Sequence, residues 1–160
     1  MLPLHFECDV ELNAPAEDVF AYLDDHSRLS AHMSRASWMM AGSRMAIEFD
    51  ASEGRAVGAI IRLRGRVLGI PLSVEEIVTE RKPPLRKVWE TTGRPQLLVI
   101  GPYRMGYQIA PKGKASLLRV FIDYALLDGP FSGLLGGLFG NFYARWCTRR
   151  MADDAAKHFQ

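Results

Sequence analysis

Three tyrosines and one glutamate are the residues of this sequence that could do chemistry inside a folded domain. Tyr103, Tyr107 and Tyr124 fall on the apolar parity of two consecutive predicted strands. A buried phenol needs a hydrogen-bond partner, and a ligand carbonyl or hydroxyl could supply one. In the alternative interpretation the three are core residues whose hydroxyls reach the backbone or water.

Glu76 is the exceptional residue of its strand, because it lies between Val74 and Val78 on the apolar parity. A buried carboxyl group costs several kcal/mol unless it is paired, or else its pKa rises. If it is buried, Glu76 would be a ligand anchor or a general base. Since glutamates are seldom fully buried, we expect instead a bulge or strand end that turns it to solvent.

The histidines and cysteines form no known catalytic or metal-binding pattern. The two cysteines, Cys8 and Cys147, are far apart, and the sequence has no Gly-rich phosphate loop and no Gly-x-Ser-x-Gly motif. We therefore predict no metal, no cofactor and no catalytic residue, and we interpret His32 as a capping or surface residue. The four histidines lack metal-ligand spacing: His5, His26, His32 and His158.

Composition indicates an ordinary globular protein. Of its 160 residues 48% are hydrophobic and 24% charged, and the formal net charge of +2 is too small to favour a nucleic-acid partner. The first residues include Glu7 and Asp9 and lack the apolar core of a signal peptide, and no stretch is long enough for a membrane span. We expect a single domain over residues 1–160, in the cytoplasm.

The order of predicted elements is α+β. Residues 4–12 alternate as a strand, a helix begins around Asn13-Ala-Pro15, and a second short helix runs to about Met33. Residues 45–126 form about six strands joined by short turns, which makes them antiparallel neighbours. Residues 131–159 contain no proline and predict a long helix.

This order resembles the START-like (SRPBCC) superfamily, which includes polyketide cyclase/dehydrase-like, plant-allergen-like and coenzyme-Q-binding START proteins. The resemblance covers nearly the whole chain and rests on the segments Asn13-Ala-Pro-Ala-Glu-Asp-Val-Phe20 and Lys87-Val-Trp-Glu90. It implies a helix-grip fold, in which a curved antiparallel sheet of six to seven strands wraps around a long C-terminal helix. Two short helices follow the first strand, and an apolar cavity lies between sheet and helix. Because the superfamily includes carriers, sensors and cyclases, the resemblance indicates the fold better than the function.

The inward parity of the strands predicts which side chains would line such a cavity. The apolar segment 96–102, between two strands, either extends a strand, which we favour, or forms a flexible lip over the cavity. The predicted ligand-binding residues are Ile61, Leu63, Val74, Glu76, Trp89, Tyr103, Met105, Tyr107, Val120, Ile122 and Tyr124 from the strands, with Phe142 and Trp146 from the C-terminal helix.

The C-terminal helix carries two apolar stripes. Because glycine weakens a helix by about 1 kcal/mol relative to alanine, either the regular helix begins only near Asn141, or a glycine-rich stripe faces the sheet and leaves room for a ligand. In the second case the large stripe would be exposed and would suit a partner or a membrane, with nearby arginines for anionic lipid. The large stripe is Phe131, Leu134, Leu135, Leu138, Phe139, Phe142 and Trp146; the small stripe is Gly133, Gly136, Gly140, Ala144, Cys147, Met151 and Ala155; the arginines are Arg145, Arg149 and Arg150.

Three functional hypotheses follow. The resemblance and the apolar parity favour a carrier or sensor that binds a small hydrophobic ligand, such as a lipid, an isoprenoid quinone or a polyketide-like aromatic. The second hypothesis is a cyclase or dehydratase in which the tyrosines, His32 or Glu76 position the substrate. The third is peripheral docking to a membrane or partner through the Leu134–Trp146 stripe.

Overall fold

The strands follow the two-residue hydrophobic period of the sequence, and the helices follow its helical period of about 3.6 residues. A computed structural model describes residues 1–31, 45–129 and 134–160, so that His32, Met33, Phe131 and Gly133 lie outside the described residues. The elements are β1 (Leu4–Leu12), α1 (Ala16–Asp24), α2 (His26–Leu29), β2 (Met45–Phe49), β3 (Ile60–Val67), β4 (Ile70–Lys82), β5 (Arg86–Gln96), β6 (Tyr103–Lys112), β7 (Ala115–Tyr124) and α3 (Leu134–His158).

The strands in the described part of the chain form one seven-stranded antiparallel sheet. Its order is β1-β7-β6-β5-β4-β3-β2, so that strands consecutive in the chain from β2 to β7 are neighbours. The first strand closes onto the last, with Leu4 opposite Tyr124 and Leu12 opposite Ser116. Two register irregularities between β4 and β5 are of the kind that bends a strand. The predicted α+β helix-grip fold, an open curved sheet with a C-terminal helix and short early helices, is confirmed.

The long helix α3 packs over β1 and β7 with its small stripe inward. Because α3 already begins at Leu134, the alternative of a regular helix beginning near Asn141 is wrong. Ala144, Cys147 and Met151 are buried, whereas Leu138 and Phe139 are exposed. No helix in the described ranges combines the length and apolarity that crossing a bilayer requires.

Gly140 shows why this stripe consists of small residues. A Cβ added at Gly140 would lie 2.6 Å from Leu126 Cδ2 and 2.7 Å from the carbonyl oxygen of Val99. Both distances are shorter than real Cβ contacts allow, so a side chain here would push the helix away from its neighbours. The glycine therefore permits the close approach of α3 to the segment that follows β5.

The segment Leu97–Ile100 is not a strand, so the expected strand extension ends at Gln96. The backbone hydrogen bonds that follow this segment go to the end of β7: Gly101 N donates to Ala125 O, and Ala125 N donates to Pro102 O, each at 2.9 Å. Within this segment Val99 approaches Gly140 of α3. Leu97 and Ile100 line both of the cavities described below.

Candidate functional site

A cavity lies between the concave face of the sheet and α3. Its empty space is about 460 Å³ including its open mouth, and about 30 Å³ of this can hold the centre of a water molecule. A ligand of more than a few atoms would therefore need small shifts of flexible lining side chains such as the methionines. The lining residues are Ser30, Glu76, Trp89, Leu97, Ile100, Tyr103, Met105, Ile122, Tyr143, Cys147 and Met151.

A second cavity adjoins the first one. Its empty space is about 420 Å³, of which about 70 Å³ can hold a water centre. Leu97, Ile100 and Tyr143 line both cavities, so these three side chains separate them. The remaining lining residues of the second cavity are Met45, Val67, Leu72, Leu98 and Val99.

The predicted strand residues are all buried, but they divide into two groups. The first group lines the first cavity: Glu76, Trp89, Tyr103, Met105 and Ile122. The second group belongs to the packed core and lines neither cavity: Ile61, Leu63, Val74, Tyr107, Val120 and Tyr124. From the helix, Phe142 is 49% exposed and Trp146 is partly buried, and neither lines a cavity. The ligand contacts of all these residues stay a prediction.

Glu76 is 4% exposed, so the expectation that it turns to solvent is wrong. The inward parity of β4 continues from Leu72 to Val78 despite the irregularities on either side, and this places Glu76 on the cavity wall. The hydroxyl of Tyr103 donates a hydrogen bond to Glu76 Oε1. The other carboxyl oxygen, Oε2, lies 3.3 Å from Nε2 of His26. These two partners supply the hydrogen bonds that the buried carboxyl group would otherwise make with water.

His26 is a functional candidate that its sequence context does not reveal. It is the first residue of α2, whose N-terminus is capped by Asp25 through a hydrogen bond from the backbone N–H of Ser27. Its ring packs edge-on against Trp89 with the centroids 4.8 Å apart. Within the described residues its Nδ1 atom is buried without a hydrogen-bond partner. We name Glu76, Tyr103 and His26 the cavity triad.

The rest of the cavity wall is uncharged. Burial, reinforced by the neighbouring Glu76 carboxyl, raises the pKa of Tyr103 well above its usual value, so the phenol keeps its proton and is the donor. On the helix side, burial raises the pKa of Tyr143 well above its usual value and the pKa of the Cys147 thiol to about 12. The lining residues of this cavity, all within the described chain, include no Lys or Arg.

A second buried polar group lies at the end of α1, away from both cavities. Asp24 receives two hydrogen bonds from Arg81, of 3.2 and 2.8 Å, and one of 3.0 Å from Lys87 Nζ, which is also 3.2 Å from the Asp24 carbonyl oxygen. Lys87 is fully buried. Burial alone would raise the pKa of Asp24, but the hydrogen bond from Arg81 and the charge and hydrogen bond of Lys87 outweigh it and lower that pKa. We name these three residues the ionic cluster.

The two other predicted tyrosines have different surroundings. Tyr124 donates to the side-chain oxygen of Asn141 on α3 at 2.5 Å. Tyr107 is fully buried against Phe20 and Trp89, and its hydroxyl has no hydrogen-bond partner among the described residues. Of the three predicted tyrosines, Tyr103 is therefore the one that lines a cavity.

Sequence reasoning missed several lining residues for identifiable reasons. Leu97 and Ile100 belong to the segment that was expected to extend a strand, and Tyr143 lies between the two helical stripes. Cys147 and Met151 belong to the small stripe, whose inward orientation was one of the open alternatives. Among the described residues no three His, Cys, Asp or Glu side chains lie close enough together to hold a metal ion.

Comparison with known proteins places this architecture in context. A family model described as polyketide cyclase/dehydrase and lipid transport matches residues 3–159. A search of curated proteins gives no match.

Three solved structures are similar to the chain over nearly its whole length. Protein TTHA0849 of Thermus thermophilus has a TM-score of 0.68 at 16% identity, over 96% of this chain and 95% of the other. Ara h 8.0201 has a TM-score of 0.67 at 11% identity, over 98% and 97%. Norcoclaurine synthase from Thalictrum flavum has a TM-score of 0.61 at 18% identity, over 96% and 84%. At these identities the likeness concerns the fold alone.

Proposed function

This chain belongs to the polyketide cyclase/dehydrase and lipid transport family, and on that premise we propose that it binds a small hydrophobic ligand in the first cavity, between the sheet and α3. The ligand classes that fit are a lipid, an isoprenoid quinone or a polyketide-like aromatic, and the protein would act as a carrier or sensor. Apolar cavities with a few polar groups are the usual sites for such ligands.

One observation supports this proposal above the others: α3 turns mainly small residues toward the concave face of the sheet, with Tyr143 and Met151 as the larger side chains that line the cavity. The buried side of the helix carries Gly140, Ala144 and Cys147, while the bulky Leu138 and Phe139 point away. A helix that served only to fill the core would place its large side chains inward. The space left over is lined mainly by apolar groups, with Glu76 and Tyr103 of the cavity triad in the wall.

Native mass spectrometry of the purified protein, followed by organic extraction, tests the proposal. We expect an additional mass that is released on denaturation and identified in the extract as an apolar compound. The variant Cys147→Leu, which fills the cavity, should lose this mass. The matched variant Cys8→Leu, at the other cysteine, which lines neither cavity, should keep it. Binding that survives in Cys147→Leu would contradict the proposed site.

The cyclase or dehydratase hypothesis has one supporting observation, the buried carboxyl group of Glu76 on the cavity wall. Such a group can act as a general base if a substrate carbon or hydroxyl comes within hydrogen-bond reach. The discriminating measurement is the mass of an added ligand after incubation with the protein. Because cyclisation alone conserves mass, an unchanged mass together with an unchanged chromatographic retention supports the carrier or sensor. An isomer or a loss of water that depends on Glu76 supports the enzyme.

A second proposal concerns the outer face of α3, which we suggest contacts an anionic membrane surface. Leu138, Phe139 and Phe142 are 64%, 57% and 49% exposed. Arg145 and Arg149 follow Phe142 at helical spacings of three and seven, so they extend the same face. Flotation with vesicles of phosphatidylcholine, with and without phosphatidylserine, tests this. We expect the protein to float only with vesicles that contain phosphatidylserine, and the variant Leu138→Ser to lose this binding. A protein that floats with neither kind of vesicle would contradict the proposal.

A further inference from the structure

The polar part of the first cavity is rich in hydrogen-bond acceptors. Each carboxyl oxygen of Glu76 has one partner in the cavity triad, and a carboxylate oxygen can accept more than one hydrogen bond. The Tyr103 hydroxyl uses its proton on Glu76, which leaves its oxygen able to accept as well. A ligand that reaches this place therefore meets oxygen atoms that need a donor.

The same place is unfavourable for a second acid. Glu76 is buried, and the described lining includes neither Lys nor Arg to compensate another negative charge. Any charge on His26 is already matched by Glu76 at 3.3 Å, and Lys87 is held by Asp24 outside the cavity. A buried carboxylate without a counter-charge costs several kcal/mol, and repulsion from Glu76 adds to that cost.

We propose that the cavity selects uncharged apolar molecules whose buried end carries an O–H donor, namely alcohols or phenols, and discriminates against carboxylates of the same size, including fatty acids. This inference rests on the proposed ligand-binding function and narrows its ligand classes to those with an O–H donor, which an oxidised quinone lacks. The hydroxyl donates to Glu76 beside Tyr103, while the hydrocarbon part packs against Trp89, Met105 and Ile122. A hydrogen bond to a charged acceptor contributes about 1.5–3 kcal/mol, which corresponds to tenfold or more in affinity.

Calorimetric titration with three probes of matched shape tests the selection: 4-butylphenol, 4-butyltoluene and 4-butylbenzoate. The methyl group of the toluene replaces the hydroxyl at nearly the same size, and the benzoate replaces it by an anion. We expect the wild-type protein to bind the phenol and not the benzoate. In Glu76→Gln the ratio of phenol to toluene affinity should fall about tenfold, because the charged acceptor is gone. Benzoate affinity should rise in the same variant, a gain that loss of folding cannot produce.

Glu75→Gln is the matched control. Glu75 is the preceding residue on the opposite face of β4, where its carboxyl pairs with Arg62 at 2.8 Å at the surface. We expect this variant to keep the wild-type probe preferences. Equal binding of phenol and benzoate by the wild-type protein, or an unchanged probe ratio in Glu76→Gln, would overturn the inference while leaving ligand binding intact. Binding of none of the three probes would overturn the inference and the proposed function together.

Discussion

Two acidic side chains are buried among the described residues, Asp24 at the end of α1 and Glu76 in the middle of β4, and their surroundings differ. Asp24 faces two cations and lies outside both cavities. Glu76 faces a phenol and an imidazole and lies on a cavity wall. The charge of Asp24 is therefore balanced by cations in an enclosed place. Glu76 is held mainly by hydrogen bonds and is open to a cavity.

This difference separates polar groups that stabilise the fold from polar groups that are suited to bind a ligand. The ionic cluster ties the end of α1 to β4 and β5, and it therefore fixes the turn that leads into His26. None of its three residues lines either of the two cavities. The cavity triad keeps an acceptor-rich surface next to empty space, which is the arrangement expected of a binding site. Stability should therefore depend mainly on the first region and ligand selection on the second.

The largest effect on stability is expected from Asp24→Asn. This change leaves the fully buried Lys87, together with Arg81, without an anionic partner, and breaking a buried pair in this way costs about 3–5 kcal/mol. The exposed pair of Glu75 and Arg62 provides the control, since Glu75→Gln should cost at most about 1 kcal/mol. Urea denaturation followed by circular dichroism measures both. Equal losses would remove the distinction between enclosed and exposed pairs.

Close packing around the cavity region is tested next, by Gly140→Ala. The new methyl group would meet Leu126 Cδ2 and Val99 O at 2.6 and 2.7 Å, so we expect a loss of about 1–3 kcal/mol. At Gly137 the nearest atom to an added Cβ is Leu126 Cδ1 at 3.5 Å, an ordinary contact. Gly137→Ala should therefore stabilise the helix by up to about 1 kcal/mol. Thermal unfolding of both variants measures the contrast, and stabilisation by Gly140→Ala would contradict the close approach described for α3.

Acid should weaken the ionic cluster in a defined direction. The pKa of Asp24 is lower in the folded protein than in the unfolded chain, where it is about 3.9. The stabilisation from its charge is therefore complete above that value and is lost as the pH falls through the lower, folded pKa. The stability gap between wild-type protein and Asp24→Asn should shrink as the pH is lowered from 5 toward 2 in urea denaturation. A gap that widens toward low pH would refute the assignment.

The smallest expected effects come from a pair of tyrosines. Tyr103→Phe removes a donor to the buried Glu76 and should cost about 1–2 kcal/mol. Tyr107→Phe removes a buried hydroxyl that has no partner among the described residues, so it should change the free energy of unfolding by less than about 1 kcal/mol. Chemical denaturation of the two variants at neutral pH provides the measurement. The reverse order would mean that the hydroxyl of Tyr107 has the more important partner.

The fold and the inward faces of the strands could be predicted from the sequence because both depend on local patterns. A period of two residues places Trp89 and Met105 on the inward face of the sheet. The stripe of α3 that faces the sheet could not be predicted, because both stripes are apolar and only contacts such as Gly140 with Val99 distinguish them. Periodicity alone therefore leaves the orientation of this helix undetermined.

The polar clusters could not be predicted because their members are distant in the chain. His26 lies 50 residues from Glu76, and Tyr103 lies 27 residues from it. Lys87 lies 63 residues from Asp24. Because glutamates are seldom buried, the sequence favoured solvent exposure of Glu76. The folded chain reverses this expectation because it brings Tyr103 and His26 within reach of the buried carboxyl group. The tertiary structure therefore decides which residues pair with a buried charge.

Methyl NMR of the protein titrated with 4-butylphenol tests the central claim most directly. Met105 and Met151 line the first cavity, whereas Val19 and Leu23 lie on α1 near the ionic cluster. We predict that the methyl signals of Met105 and Met151 shift and show nuclear Overhauser effects to the butyl protons, while those of Val19 and Leu23 remain unchanged. Effects confined to the exposed Leu138, or shifts at α1 without any at Met105 and Met151, would contradict ligand binding in the cavity.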